Sequence, residues 1–459
     1  VSERLEAEQA GSGDGEQAQA GRPPSGQSRP VPAEDGRAEI TGAADRQPGN
    51  DPGLPAAGET VEQGVRTPAF RRLMGAWTVS LVGDGVRIVA LPLYTAISTR
   101  SPLAASAVAV AAVLPWLLIA LPAGVLVDRW RPRRVVATAH AFRAVVTAVL
   151  AVAAFTGHAG VALLAAVAFV LASAETFADS AAQLLLVELA GPDDLERANG
   201  RFVMVETVGM DLAGPLAASA LFLWQPAACF ALDALSFVLA AVFVARLPDV
   251  VPERAPSAGS MLAGLRAQLA EGGGYLLRSR GLRVLVAAVM LTAISAAAGN
   301  AVLALFAIQT LGVPPAVVPG LVVAMSIGAI AGSRTTPALA PRFGAGQTMV
   351  GALATLGVSF VLLGAVHHVA VAAVACFLAG FGSAGWNVLS ATRRQRLTPS
   401  AMMGRVTSAY RVLAWGLMPL GAGLAGPLAQ LTSLGTVFLA AGSVIVLTAF
   451  VFARPLVRS

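Results

Sequence analysis

Gly124-Val125-Leu126-Val127-Asp128-Arg129-Trp130-Arg131-Pro132-Arg133-Arg134 sets one carboxylate and four guanidinium groups between two apolar runs. The run from Pro102 to Val127 enters it without a charge, and the run from Val135 to Phe155 leaves it. Arginines this close to apolar segments are expected on the cytoplasmic side of a bilayer. The turn therefore joins two membrane spans and fixes their direction.

Composition points the same way. Of 459 residues, 56% are hydrophobic and 13% charged, against about 25% charged in a soluble domain. Every one of the 32 basic residues is Arg. They cluster at the ends of apolar runs, which argues against a nucleic-acid partner despite the net charge of +6. Cys229 and Cys376 lie inside apolar runs and read as small buried residues. His140, His158, His367 and His368 lack ligand spacing, so neither metal nor other cofactor is expected. The first apolar run follows a polar stretch, so no signal peptide is expected at the start of this sequence. Residues 1–66, with 12 acids and 6 arginines and no apolar periodicity, are expected to form a disordered cytoplasmic tail.

From Leu73 the chain alternates between apolar runs long enough to cross a bilayer and short polar turns. Spans are expected at 73–98, 103–127, 135–156, 159–182, 200–222 and 226–246, then at 283–309, 316–339, 346–366, 369–391, 405–429 and 434–454. With the amino terminus inside, the inner segments hold 22 of the 26 arginines after residue 66, and the outer loops hold only Arg100. A wrong span count would scramble that alternation, so twelve spans with both ends cytoplasmic are expected. The halves also echo each other. Pro192 to Arg197 precedes the fifth span as Pro399 to Arg405 precedes the eleventh, the trace of two parallel six-span repeats. The organisation is thus a tail (1–66), a first half (67–246), a cytoplasmic linker (247–282) and a second half (283–459). In the linker, Leu262, Leu265 and Leu269 share one face of a short amphipathic helix.

Set between the second and third of twelve spans, Gly124-x-x-x-Asp128-Arg129-x-x-x-Arg133-Arg134 resembles the signature loop of the major facilitator superfamily. Ser80-x-x-Gly83-Asp84, Leu195-Glu196-Arg197-Ala198-Asn199, Gly214-Pro215, Gln395 to Pro399 and Gly404-Arg405-Val406 are similar to segments of its bacterial exporter branch, which includes siderophore and macrolide efflux proteins. The resemblance covers residues 70–455. It implies the major facilitator fold: an all-α membrane protein of twelve transmembrane helices in two pseudo-symmetric six-helix halves. It also implies a gate at Asp128, whose carboxylate would face a helix amino end of the other half. Arg129, Arg133 and Arg134 would hold the loop or anchor it at anionic headgroups. The corresponding second-half loop reads Leu339-Ala340-Pro341-Arg342-Phe343-Gly344, with Pro341 where the acid would stand.

Ionisable groups inside spans are costly and commonly mark substrate or proton pathways. Asp84, Arg87, Arg143, Glu175, Glu206 and Asp211 are such groups, and Asp84 and Arg87 share one helix face at i and i+3. Either the acids relay protons, with Arg143 as counter-charge, or they form fixed ion pairs that pin the helices. Asp233 reads as structural, because the sixth span is peripheral in this family. Gly209, Gly214 and Pro215 resemble the glycine–proline motif of antiporters, though Gly and Pro also serve ordinary helix packing. Phe306, Trp386, Asn387, Arg411 and Trp415 are candidates for a cavity wall, or for core packing, and Gln309 and Trp224 for the membrane interface.

No phosphate-binding Gly-x-x-x-x-Gly-Lys loop and no nucleophile–base pair is present, so the chain does not read as an enzyme. The expected function is export of a small organic molecule (drug, antibiotic or siderophore-like) in exchange for protons. An importer or uniporter of the same fold, or a non-transporting membrane scaffold or sensor, remains the alternative. A bacterial inner-membrane location and a monomer go with it.

Overall fold

The computed structural model describes residues 64–127, 130–249 and 261–458. The expected tail lies outside these except for its last three residues, and those are not disordered. The Gly64 amide donates to the Leu189 carbonyl at 2.9 Å, the Val65 amide donates to the Asp194 carboxylate at 3.1 Å, and Val65 is buried. Asp128 and Arg129 also lie outside the described residues, and with them the expected acidic gate.

Every regular element among the described residues is helical. The helices are α1 (Pro68–Thr99), α2 (Pro102–Leu118), α3 (Ala120–Val127), α4 (Pro132–Phe155), α5 (Val161–Glu206), α6 (Gly214–Trp224), α7 (Ala227–Ala245) and α8 (Met261–Arg278). They continue as α9 (Arg280–Gln309), α10 (Val318–Phe343), α11 (Ala345–Ala365), α12 (Val369–Leu397), α13 (Met403–Trp415), α14 (Met418–Leu431) and α15 (Leu434–Arg458). Local chemistry sets the starts. The Thr67 hydroxyl accepts from the Phe70 amide at 3.2 Å with Pro68 following, and Ser101 caps α2 ahead of Pro102.

Among the described residues, ten helical stretches are long and apolar enough to cross a membrane. One of them, the 64-residue stretch Val161–Trp224, is two crossings. At Gly191 the backbone adopts φ 70°, a conformation that glycine reaches without a Cβ penalty, and Pro192 starts the return. Phe202 and Glu206 thereby share a cavity with Thr176 and Asp179 instead of standing far along one rod. The sequence placed a loop at 183–199, but the fourth crossing stays helical through Leu184, Leu185 and Leu186 to Ala190. Two other crossings are broken: α2 passes into α3 at Ile119, and α13 into α14 two residues before Pro419. In the fifth crossing a π-helical turn, Thr207–Ala213, precedes Gly214 and Pro215. Proline has no amide hydrogen to donate, and the ladder widens ahead of it.

These pieces make twelve crossings in two halves with matching internal packing. α4 lies on α7 as α11 lies on α15. α1 packs on α7 and α6 as α9 packs on α15 and α14, and α2 packs on α5 as α10 packs on α12. Gly214 sits on the backbone of Gly85 just as Gly421 sits on that of Ile294. In the linker, α8 lies on α9 and α13, with the Tyr275 hydroxyl donating to the Leu397 carbonyl at 3.4 Å.

The halves meet at the end opposite the arginine-rich turns. There α2 packs on α14, α6 on α10 and α1 on α9. Ser219 donates to the Ala316 carbonyl at 2.8 Å, and the Gln309 side-chain amide donates to the Arg100 carbonyl at 2.9 Å.

Candidate functional site

A cavity of about 940 Å³ runs from mid-depth between the halves toward the arginine-rich end. Leu73, Trp77, Gln183 and Phe202 line its outer part, and Asp84, His140, Arg143 and Glu175 line its blind end.

At that blind end four helices bring charges together. Asp84 Oδ1 accepts from Arg87 at 2.6 Å and from Arg143 at 2.5 Å. Glu175 Oε2 accepts from the same two guanidinium groups at 3.0 and 3.2 Å. The Ser80 hydroxyl donates to Asp84 Oδ2 at 3.3 Å. Arg143 is almost fully buried, with its guanidinium carbon 4.0 Å above the Phe237 ring, so that the ring face offsets part of its desolvation. Three of the sequence-derived pathway residues and their counter-charge thus form one network.

Asp233, which the sequence reads as a structural residue of a peripheral helix, also belongs to it. It is fully buried, and its Oδ2 lies 3.4 Å from Arg87 Nε. Gly83 permits this, since a Cβ there would overlap Ser236 and Asp233. Three carboxylates therefore face two guanidinium groups.

Glu206 lines the cavity one helix away, whereas Asp211 does not join. Asp211 lies on the exposed side of the π-helical turn with Met204 and Val208, while Met210 takes the cavity side. Gly209 is buried against Leu81 and Val82, and Gly214 and Pro215 are buried against α1.

Of the five cavity-wall candidates, Arg411 and Trp415 on α13 line the cavity. Phe306 does not: its face of α9 turns to α15, where its ring lies 4.8 Å from that of Phe438. Trp386 is buried in the second-half core, on the α12 face where Gly382 and Gly385 admit α11 and α10. Asn387 is exposed but lies away from the lining.

Sequence reasoning passed over Asp179, His140, Trp77, Trp116 and Phe202, all of which line the cavity. Helical spacing carried part of that signal: Asp179 follows Glu175 by four residues, and His140 precedes Arg143 by three. The second half contributes no acid at all, because the chain has no Asp or Glu after Glu271.

In the signature loop, Gly124 lies within α3 and Arg134 is exposed. Arg133 donates to the Leu247 carbonyl at 2.6 Å, and Arg131 and Arg133 contact the Asp249 carboxylate at 3.0 and 3.2 Å. The loop is thus tied to the end of α7 in its own half. These groups are partly exposed, so Asp249→Asn is expected to cost under about 1 kcal/mol. A melting curve of the purified protein within about 2–4 °C of wild type is the corresponding result.

A sequence model described as the Major Facilitator Superfamily matches residues 73–423. The chain is 28% identical over 389 residues to the multidrug efflux pump Tap of Mycolicibacterium fortuitum, covering 82% of this chain and 92% of that one. Against the Tap pump of Mycobacterium bovis BCG it is 28% identical over 403 residues, with 85% and 93% covered. Among solved structures, the nucleoside transporter NupG superposes with a TM-score of 0.70 at 15% identity, covering 84% of this chain and 99% of that one. A bacterial homologue of the iron transporter ferroportin, in its inward-facing state, superposes with a TM-score of 0.62 at 17% identity, covering 83% and 98%. At these identities the structural matches speak for the fold.

Proposed function

The chain belongs to the major facilitator superfamily, a family of multi-pass membrane transporters rather than enzymes, and from that premise we propose that it exports a small organic molecule of drug or antibiotic type by proton antiport. The observation that carries this reading is the shared carboxylate of Asp84. It stands at the blind end of a cavity that is closed at one end of the molecule, and it holds two arginines from two different helices. Multidrug efflux is the activity named for the Tap relatives.

Three acids against two arginines leave one negative charge when all are ionised, so the cluster has room for one proton. In the arrangement described, the cavity reaches toward the arginine-rich end. That end is assigned to the cytoplasm by the positive-inside rule, with both termini on the same side in a bacterial inner membrane. Substrate would enter there. A rocking motion of the two halves would then open the contacts of α2 with α14 and of α6 with α10, and expose Asp84 to the other side. Proton uptake at the cluster from outside would return the carrier. The assembly proposed is a monomer, with residues 247–282 as the tether between its halves.

Inverted membrane vesicles with an acid interior test this. Adding a transported compound outside is expected to raise the internal pH in step with its accumulation, and an Asp84→Asn protein should show neither. Accumulation of the compound without proton movement would remove the antiport reading and leave a uniporter.

A further inference from the structure

Two acids in the cavity have no partner among the described residues. Asp179 and Glu206 line the wall, and neither makes a hydrogen bond or ion pair with any described residue. The cations nearest in kind are committed or distant in the chain. Arg143 is held by Asp84 and Glu175, and Arg411 stands on α13 of the other half.

Aromatic surface surrounds these acids. Trp77 of α1 and Phe202 meet edge to face with ring centroids 3.9 Å apart, and Trp116 and Trp415 complete an apolar wall. His140 lines the same cavity with only 7% of its surface exposed, and its Nδ1 has no hydrogen-bond partner. A buried polar atom left unpaired inside a cavity marks a place for a polar group that the protein does not supply.

From this geometry we infer that Asp179, Glu206 and the Trp77–Phe202 pair form the substrate site, and that it takes amphipathic organic cations. The inference rests on the transporter reading and names its substrate class. The acids neutralise the positive head in a setting of low dielectric, where an unpaired charge is costly. The aromatic faces receive the apolar body and attract the cation through their quadrupoles. The cavity is large enough for a drug-sized molecule. Neutral molecules would leave both acids unpaired, and anions would be repelled by them. The census of the whole cavity agrees: Asp84, Glu175, Asp179, Glu206 and the adjoining Asp233 outnumber Arg87, Arg143 and Arg411.

Two ions of the same shape and opposite charge test the assignment directly. Binding of tetraphenylphosphonium and of tetraphenylborate to the full-length protein in detergent is read from the quenching of its tryptophan fluorescence. The phosphonium is expected to bind at least about tenfold more tightly than the borate. Asp179→Asn and Glu206→Gln should each weaken phosphonium binding about tenfold, and the double variant should lose the discrimination. Glu188→Gln, an exposed acid outside the cavity lining, should bind as wild type does. Equal binding of the two ions by the unmutated protein overturns the inference without any variant having to fold, and so does full phosphonium affinity in the double variant. Charge-selective binding by a protein that moves no substrate in vesicles would leave this site standing and remove the antiport reading. Preference for the borate in a protein that does transport would remove the cation site alone.

Discussion

Asp84→Asn is expected to reduce proton-coupled transport on the order of 100-fold, the upper range for a coupling free energy of about 1–3 kcal/mol, while the protein still inserts and folds. The reason lies in the charge balance. Asparagine keeps the shape of the side chain and can still accept from Arg87 and Arg143 through its amide oxygen. The remaining carboxylates, Glu175 and Asp233, then match the two guanidinium groups one for one. A balanced cluster has no charge for a proton to neutralise, so it stays in one protonation state through the cycle. Arg143→Ala should behave differently. It leaves three acids, two of them buried, facing one guanidinium, and removing one partner of a buried pair costs about 3–5 kcal/mol. That variant is expected to be poorly folded as well as inactive. Transport in vesicles, paired with the melting temperature of each purified variant, separates the two patterns. A fully active Asp84→Asn protein would reduce the cluster to a fixed brace between helices.

Gly214→Ala is expected to unfold or inactivate the protein, although alanine is ordinarily the mildest of changes in a helix. A Cβ at Gly214 would fall on the backbone of Gly85 and Val86, atoms that cannot rotate out of its way. Small residues allow membrane helices to approach this closely, and their packing stands in for the hydrophobic drive that lipid removes. Overpacking alone costs about 1–3 kcal/mol. Here it would also push α1 away from the fifth crossing one residue from Asp84, shifting the cluster itself. Gly200→Ala is the control, because a Cβ there meets nothing within 4 Å. Equal melting temperatures for the Gly214→Ala, Gly200→Ala and wild-type proteins would show that this contact can relax.

Much of the architecture is legible in the sequence, because the bilayer imposes rules that act along the chain. Span length and arginine placement are such rules, and they located all twelve crossings to within a few residues apart from the helical turns around Gly191. Asp84 with Arg87 was legible for the same reason, as a pair one turn apart on one helix. What helical spacing does not carry is the facing of a residue once several apolar helices pack together. Phe306 and Trp415 look alike in sequence, since each is an aromatic in an apolar span. The first packs on Phe438 and the second lines the cavity, a difference set by which neighbouring helix lies behind each. The place of Asp233 in the network is not legible for that reason too: a peripheral helix can still turn one side chain inward when a glycine on the next helix makes space.

The absence of any Asp or Glu side chain beyond Glu271 bears on how membrane voltage could act on this protein. If protons and a cationic substrate exchange on the acids of the first half, then all the gain and loss of charge during the cycle takes place in that half. The second half carries a fixed positive charge throughout. An elementary charge moved across the whole membrane is worth about 2.3 kcal/mol per 100 mV. That electrical work would then fall on one half of a molecule whose two halves are otherwise built alike.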